Sequence, residues 1–214
     1  MGMGVDTSTN VSSVAGCLKA SGLTFVCRYL AVVNTWKVMT AAEAEALSRV
    51  GLWIVSVWED GPADQPSYFT GERGRADGLR AFSLADTLRQ PGGTPVYFAV
   101  DYDATPDRRQ TIIDYFAGIH QGYADYAAQR SRSGLPVIPY HVGAYGSYDV
   151  LSWLRGAGLA TFFWQAYAPA WSRGRNASDW PGYNLRQRGV GRWICGVQVD
   201  PDVSNGAGGG WRYL

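Results

Sequence analysis

The sequence predicts an α/β fold, a single (β/α)8-type TIM barrel with degenerate last units. Short apolar segments alternate with helical segments, and each apolar segment is continuous enough to be buried on both faces, as in a parallel sheet. Seven or eight such units favour a closed barrel, and 214 residues lie at the small end of the range for that fold. We therefore expect one domain over residues 1–214, with a flexible tail over 205–214.

Capping residues and turns mark where each predicted element begins and ends. Gly4–Thr7 is the first strand, and a cap-rich turn leads into helix Ser12–Ser21, which Gly22 ends. The other predicted strands are Thr24–Leu30, Leu52–Asp60, Thr94–Asp103, Pro136–Tyr145, Leu159–Tyr167 and Ile194–Asp202. The other predicted helices are Thr40–Val50, Arg73–Arg89, Asp107–Gln129 and Ser147–Arg155, and residues 168–192 are predicted to be irregular.

The stretch TPVYFAVDYD, residues 94–103, is the central strand of this prediction. Its side chains alternate, so Asp101 and Asp103 are expected on the face of Tyr97 and Ala99. The helix after it should cover the opposite face, which carries Phe98 and neighbouring apolar residues. The two carboxylates would then lie at the barrel mouth, where α/β folds place their active sites.

Composition and charge exclude several classes of partner. The net charge is +1, from 19 basic and 18 acidic residues, so we expect no nucleic-acid partner. The sequence contains no apolar run of membrane-spanning length and no basic-then-apolar signal segment. Cys17, Cys27 and Cys195 lack metal-binding spacing and are predicted to be free, mostly buried thiols. We predict no cofactor and no metal, and oligomeric state is open.

Carboxylates recur at the ends of four predicted strands. They are Asp6, Glu59 with Asp60, Asp101 with Asp103, and Asp200 with Asp202. In a parallel barrel all strand ends open on one mouth, so these groups should converge. Any single strand-end aspartate could instead cap the following helix or turn. Repetition at four strands is harder to explain by capping.

Clustered carboxylates without histidine or cysteine suit two kinds of chemistry. A close pair raises the pKa of one member, which can then act as the general acid in hydrolysis of a glycosidic bond. A divalent metal would use similar residues, but neither a glycine-rich phosphate loop nor a basic cradle follows the strands. Aromatic residues form 14% of the chain, and such rings can stack on sugars or simply fill the core.

The order of several segments resembles a known family. GVDTSTN, TFVCRYL, LWIVSVWED, YFAVDYDA, GAYGSYDVL and FFWQAYAP together resemble the glycoside-hydrolase-like domain that is related to the family 25 lysozymes. The resemblance implies a bacterial or phage origin, an exported or phage-delivered protein, and action on peptidoglycan or a related cell-envelope glycan. It places the working acids at Asp6, Asp101, Asp103 and Asp200, with Asp202 as the less favoured last-strand acid.

One departure from the family pattern leaves two mechanisms open. The lysozymes carry Glu as the proton donor where this chain has Asp103, which is one methylene shorter. Small misplacements are costly in catalysis, so Glu59 could act in its place. In the first mechanism Asp103 or Glu59 protonates the glycosidic oxygen while Asp101 supports the developing charge. In the second, the site binds a glycan and hydrolyses it poorly or not at all.

Other residues at the predicted mouth are candidates for substrate binding. These are Arg28, Tyr29, Tyr145, Trp164, Gln165, Tyr167 and Gln198. A structural ion pair is the rival role for Arg28, and core packing is the rival for the aromatic residues. The leading function is a metal-independent glycosidase of the lysozyme type. The alternatives are a non-catalytic glycan-binding barrel that anchors a cell-envelope or phage-like assembly, and a metal-dependent hydrolase that uses the same acids.

Overall fold

The computed structural model describes residues 2–206 and 208–213, and over these it contains nine strands and five α-helices. The strands are β1 (Gly2–Asp6), β2 (Phe25–Leu30), β3 (Trp53–Trp58), β4 (Pro95–Ala99), β5 (His141–Gly146), β6 (Phe162–Gln165), β7 (Leu185–Gln187), β8 (Arg192–Ile194) and β9 (Val197–Ser204). The helices are α1 (Ala15–Ala20), α2 (Ala41–Arg49), α3 (Gly71–Thr87), α4 (Arg109–Arg132) and α5 (Tyr148–Gly156). No described helix is long and apolar enough to cross a membrane.

Eight of the strands close into a barrel, which confirms the predicted fold class. Neighbours from β1 to β7 are parallel, and β9 closes the ring between β7 and β1. The fifth strand begins at His141 and not at Pro136, because Pro136 and Pro139 have no amide hydrogen for a ladder.

The last units depart from the predicted all-parallel order. Strand β9 runs antiparallel to both of its barrel neighbours, and β8 pairs with it as a hairpin arm. A short turn suffices for an antiparallel pair, whereas a parallel strand would need a longer crossover. Strand β7 lies in the region predicted to be irregular. Its three residues carry one apolar side chain, Leu185, which gives no readable pattern.

The core lies in two layers, as the alternation in β4 predicts. Tyr97 and Ala99 face the barrel interior, where they belong to a small cluster with Trp164. Phe98 and Val100 face outward into the larger cluster between the barrel and the helices. The interior of the barrel is therefore filled with side chains below the mouth, and the helices cover its outer surface.

Helices α3 and α4 approach each other through glycine. A Cβ on Gly74 would lie 1.9 Å from the carbonyl oxygen of Tyr115, and one on Gly118 would lie 2.1 Å from that of Gly71. Contacts this short leave no room for a methyl group between the two backbones. The backbones of α3 and α4 are therefore in direct contact at these glycines.

A disulfide corrects the expectation that all three cysteines are free thiols. Cys17 of α1 is bonded to Cys195, in the turn between β8 and β9, with Cα atoms 6.0 Å apart. Cys27 is free and buried, as expected. The bonded residues are 178 positions apart in sequence, so their proximity depends on closure of the barrel.

The chain after β9 contributes to the core, although the sequence predicts a flexible tail over 205–214. Trp211 is buried, and its backbone exchanges two 2.8 Å hydrogen bonds with Ile54 of β3. Its indole Nε1 donates to the hydroxyl of Ser56 at 2.9 Å. The glycine-rich sequence suggested mobility, but the tryptophan within it packs against the barrel. Ala207 and Leu214 of the predicted tail lie outside the described residues.

We predict that Gly118→Ala lowers the free energy of unfolding by about 1–3 kcal/mol or more, because the added methyl group overpacks the contact between α3 and α4. Chemical denaturation measures the change. Gly16→Ala is the matched control, since Gly16 lies in α1 with no heavy atom within 4 Å of an added Cβ. The control should be neutral or gain up to about 1 kcal/mol. Equal destabilisation by both substitutions would contradict an overpacked helix contact.

Candidate active site

Four of the five predicted catalytic acids line one small cavity at the barrel mouth. The cavity has a volume of about 80 Å³. Its lining residues come from the mouth ends of the strands and the loops after them: Asp6, Tyr29, Val57, Glu59, Ala99, Asp101, Tyr145, Trp164, Gln187 and Asp200. The convergence of acids that are distant in sequence follows from closure of the sheet.

Asp6 lies at the centre of the hydrogen-bond network in this cavity. It is only 5% exposed, and its Oδ2 accepts a 2.8 Å hydrogen bond from the amide of Gln187. Its Oδ1 is 3.4 Å from the hydroxyl of Tyr29. Burial, and then the negative charge of Asp200, raise the pKa of Asp6 to about 7. The side chain is therefore protonated in a large fraction of molecules near neutral pH.

The reversed closing strand brings both of its aspartates to the face of Asp6. Asp200 pairs directly with Asp6 across the ladder. Asp202 pairs with Gly4, two residues farther from the mouth. The sequence left Asp200 and Asp202 as alternatives, and the structure gives them different places. Asp200 lies at the mouth because β9 begins there, and not because a strand ends there. Its Oδ1 accepts a 2.6 Å hydrogen bond from the backbone amide of Gly191.

Asp202 is the deepest acid of the group. It is 2% exposed, and its Oδ1 accepts a 2.9 Å hydrogen bond from the indole of Trp164. Its buried Oδ2 receives no hydrogen bond from an amide or hydroxyl among the described residues. Burial and the charge of Asp6 raise the pKa of Asp202 well above its ordinary value. The side chains of Asp202 and Asp6 also interact with each other, so ionisation of one disfavours ionisation of the other.

Gln187 connects the acids, and sequence reasoning missed it. Its Nε2 donates to Asp6, and it is 3.3 Å from Oδ2 of Asp200. Its Oε1 accepts from the hydroxyl of Tyr145 at 3.2 Å and from the backbone amide of Tyr167 at 3.0 Å. Gln187 ends β7, a strand of three residues in which only Leu185 is apolar. A polar residue two positions after one leucine is too weak a pattern to predict a site residue.

Asp101 and Glu59 form the second acidic pair of the cavity. Burial, and then the charge of Glu59, raise the pKa of Asp101 to about 6, against a hydrogen bond with Tyr145 that lowers it. Glu59 is partly exposed, and its Oε1 is 2.5 Å from the ammonium of Lys37. The environments therefore differ in the sense that acid/base chemistry needs. Asp101 retains its proton to about pH 6, and Glu59 is ion-paired with Lys37.

Asp103 is not among the residues that line the cavity. Strand β4 ends at Ala99, so the alternation that links Asp101 to Asp103 does not extend that far. Asp103 is exposed, and its Oδ1 accepts a 2.8 Å hydrogen bond from the backbone amide of Ser172. The residue that the resemblance predicted as the proton donor therefore holds the backbone of a loop.

Two predicted substrate-binding residues face away from the cavity, which corrects their assignment. Arg28 is fully buried, and its guanidinium binds both carboxylate oxygens of Glu43 in α2 and the carbonyl of Thr7. Gln165 is also fully buried, and its amide contacts Asn176 in the loop after β6. Both side chains lie on the outward face of their strands, since the inward positions carry the residues on either side. Arg28 connects α2 to the barrel, and Gln165 connects the loop after β6 to it.

The remaining predicted binding residues lie at the cavity or its rim. Tyr29, Tyr145 and Trp164 line the cavity, and the rings of Tyr145 and Trp164 meet edge to face at 4.9 Å. Tyr167 is 43% exposed, and its backbone amide donates to Gln187, which lines the cavity. Gln198 is exposed and lines a neighbouring groove. The aromatic residues thus provide both the floor and part of the rim.

Two further observations bear on what the mouth could bind. Within residues 2–206 and 208–213, no group of three or more His, Cys, Asp or Glu side chains is arranged to hold a metal ion. A cavity of about 530 Å³ lies at the opposite end of the barrel. Its lining is mostly glycine and apolar side chains such as Phe25 and Trp53, with no ionisable group, so the mouth remains the candidate site.

Comparison with protein families matches residues 16–203 to the model of the Rv2525c-like, glycoside hydrolase-like domain. The Bacillus subtilis (strain 168) protein FadG is 26% identical over 223 residues, which cover 98% of this chain and 36% of FadG. The chain therefore spans about a third of the length of this curated relative.

Solved structures show the same fold. The Mycobacterium tuberculosis Tat-secreted protein Rv2525c, in complex with L-tartrate, matches with a TM-score of 0.79 and 22% identity over 98% of both chains. The autolysin LytC from Streptococcus pneumoniae, in complex with a synthetic peptidoglycan ligand, matches with a TM-score of 0.55 and 13% identity. The match covers 94% of this chain and 46% of LytC. A family GH25 lysozyme from Aspergillus fumigatus matches with a TM-score of 0.51 and 17% identity, over 96% of this chain and 94% of the lysozyme.

We predict that Asp6→Asn reduces the loss of stability that the protein shows as pH rises. Because the pKa of Asp6 is raised in the folded state from 3.8 to about 7, its contribution is complete below pH 4 and is lost as pH rises through 7. Denaturant unfolding at pH 4.5 and 7.5 measures this. Glu72→Gln, which changes an exposed carboxylate, should leave the pH dependence unchanged. The same pH dependence of unfolding in Asp6→Asn and wild type would contradict a raised pKa of Asp6 in the folded protein.

Proposed function

The chain belongs to the family of Rv2525c-like, glycoside hydrolase-like domains, and on that premise we propose that its acidic mouth hydrolyses a glycosidic bond in peptidoglycan or a related bacterial cell-envelope glycan. The observation that carries the proposal is the pair Asp101 and Glu59. Asp101 keeps its proton to about pH 6, and Glu59 forms an ion pair with Lys37. Glycoside hydrolysis needs this division between acid and anion.

The roles of the two acids follow from their surroundings. Asp101 donates its proton to the glycosidic oxygen as the bond to the anomeric carbon breaks. Glu59 stabilises the positive charge that develops on the sugar ring. A water molecule then adds its hydroxide to the anomeric carbon and returns its proton to Asp101. Asp103 has no part in this scheme, because it is committed to the amide of Ser172.

The network around Asp6 supports the same chemistry without joining it. The carboxyl groups of Asp6 and Asp200 are held by Gln187 and offer hydrogen-bond acceptors toward the hydroxyl groups of a sugar. Tyr145 and Trp164 supply apolar surface beside them. A wall lined by carboxyl groups favours an uncharged ring over a phosphorylated substrate.

The choice of substrate and compartment has independent support. LytC, which shares the fold, was solved with a peptidoglycan ligand. Rv2525c, which shares the fold over its full length, is described as Tat-secreted. The bond between Cys17 and Cys195 agrees with an extracytoplasmic location, since disulfides persist in oxidising compartments.

One observation favours a second function, a glycan-binding barrel without turnover. Asp103 is the residue at the family donor position, and it lies outside the cavity. If Asp101 cannot reach the leaving oxygen, the mouth still offers polar and aromatic groups to a sugar. Such a protein would anchor a cell-envelope or phage-like assembly to the wall.

We predict that the protein releases new reducing ends from purified peptidoglycan and that the rate falls as pH rises through about 6, where Asp101 loses its proton. Asp101→Asn should lose at least about a hundredfold in rate, the usual effect of a general acid. Asp103→Asn is the matched control, and its activity should stay near wild type.

The outcomes separate the two functions. Loss of activity in Asp101→Asn alone supports the hydrolase with Asp101 as its acid. Loss in Asp103→Asn alone would restore the family position as donor and contradict the role of Asp101 as the proton donor. Co-sedimentation of wild type with peptidoglycan, without release of reducing ends between pH 4 and 8, would establish the binding barrel.

A further inference from the structure

A groove of about 430 Å³ adjoins the acidic cavity on the side of β1 and β9. The two share Asp6, Tyr29 and Asp200 as lining residues, so they form one continuous surface. The rest of the groove is lined by uncharged groups, most of them polar: Thr7, Ser8, Thr9, Val190, Gly191, Gln198 and Val199. Its only charged groups are therefore the two carboxyls that it shares with the cavity.

The β8–β9 hairpin places a tryptophan on the groove side. Trp193 lies directly opposite Gln198 in the antiparallel ladder, so both side chains project from the same face. Ile194 and Val197 project from the other face, where they pack against the main core. Gln198 lines the groove, and 71% of the Trp193 side chain is exposed.

The hairpin is fixed in place at both ends. At its turn, Cys195 is bonded to Cys17 of α1. At its base, the backbone amide of Gly191 donates to Asp200 at 2.6 Å. An exposed ring on a fixed hairpin loses little conformational entropy when a ligand covers it.

We propose that Trp193 and this groove form a second sugar subsite, which holds an uncharged pyranose ring of the same glycan strand next to the ring in the acidic cavity. The subsite rests on the proposed function for its ligand class. An exposed aromatic ring on the same face of the hairpin as Gln198, beside a groove lined by hydroxyl groups, suits stacking on a sugar with hydrogen bonds at its edge. A protein partner would instead require a broad apolar patch. Continuity with the acidic cavity makes the occupant a neighbouring ring of one polymer.

The test measures binding of purified peptidoglycan by co-sedimentation in the Asp101→Asn background, which removes turnover. Adding Trp193→Ala should weaken binding about tenfold, the contribution of one aromatic stacking contact. Adding Trp193→Phe should retain most of the affinity, because the ring face remains. The control is Trp53→Ala in the same background, since Trp53 is 44% exposed and lies at the opposite end of the barrel. Thermal melting verifies that each variant is folded.

The same variants are tested with a soluble probe, the β-1,4-linked tetramer of N-acetylglucosamine, and the expected order of affinities is the same. A loss in folded Trp193→Ala alone supports the subsite, even if wild type releases no reducing ends, in which case hydrolysis fails and the subsite stands. Equal affinity of Trp193→Ala and its parent overturns the subsite, even if wild type is an active hydrolase. An equal loss in Trp53→Ala also overturns it, as does the absence of glycan binding by the parent.

Discussion

The mouth of this barrel depends on burying several carboxyl groups side by side. Asp6, Asp200 and Asp202 project from paired positions of β1 and β9, where full ionisation would be opposed by both desolvation and mutual repulsion. The fold offsets this by raising the pKa values of Asp6 and Asp202 and by aiming donors at the carboxyl oxygens. Those donors are Gln187, on the strand next to β9, and Trp164, on the strand beyond it. The raised pKa values of Asp6 and Asp202 therefore depend on the closure of the sheet, which brings β9 beside β1.

The closing strand explains why the acids lie in a row. Because β9 runs antiparallel to β1, its residues at two-residue spacing descend along the inner face beside Asp6. Gly4 lies opposite Asp202, and a Cβ on Gly4 would come within 2.4 Å of the ring of Phe25. The interior below the mouth therefore tolerates no larger residue on β1 at this level. Packing and electrostatics constrain the same few positions.

Sequence patterns predicted the parts of the site that depend on local periodicity. The alternation in β4 predicted that Tyr97 and Ala99 face the interior, and the repeated strand-end acids predicted convergence at one mouth. Patterns failed where long-range closure decides the outcome. Gln187 comes from a strand too short to recognise, β9 reaches the mouth in the reverse direction, and the bond between Cys17 and Cys195 joins distant segments. Asp103 was misplaced because β4 ends before its alternation reaches that residue.

The proposed chemistry requires above all that Asp101 keep its proton at a pH where an ordinary aspartate has lost it. A pH titration of the Asp101 carboxyl carbon by 13C NMR, with the signal assigned from its absence in Asp101→Asn, measures this directly. We predict a midpoint near 6 that shifts downward in Glu59→Gln, because the neighbouring charge is removed. A midpoint near the ordinary value of 3.8, with no response to Glu59→Gln, would contradict this role for Asp101.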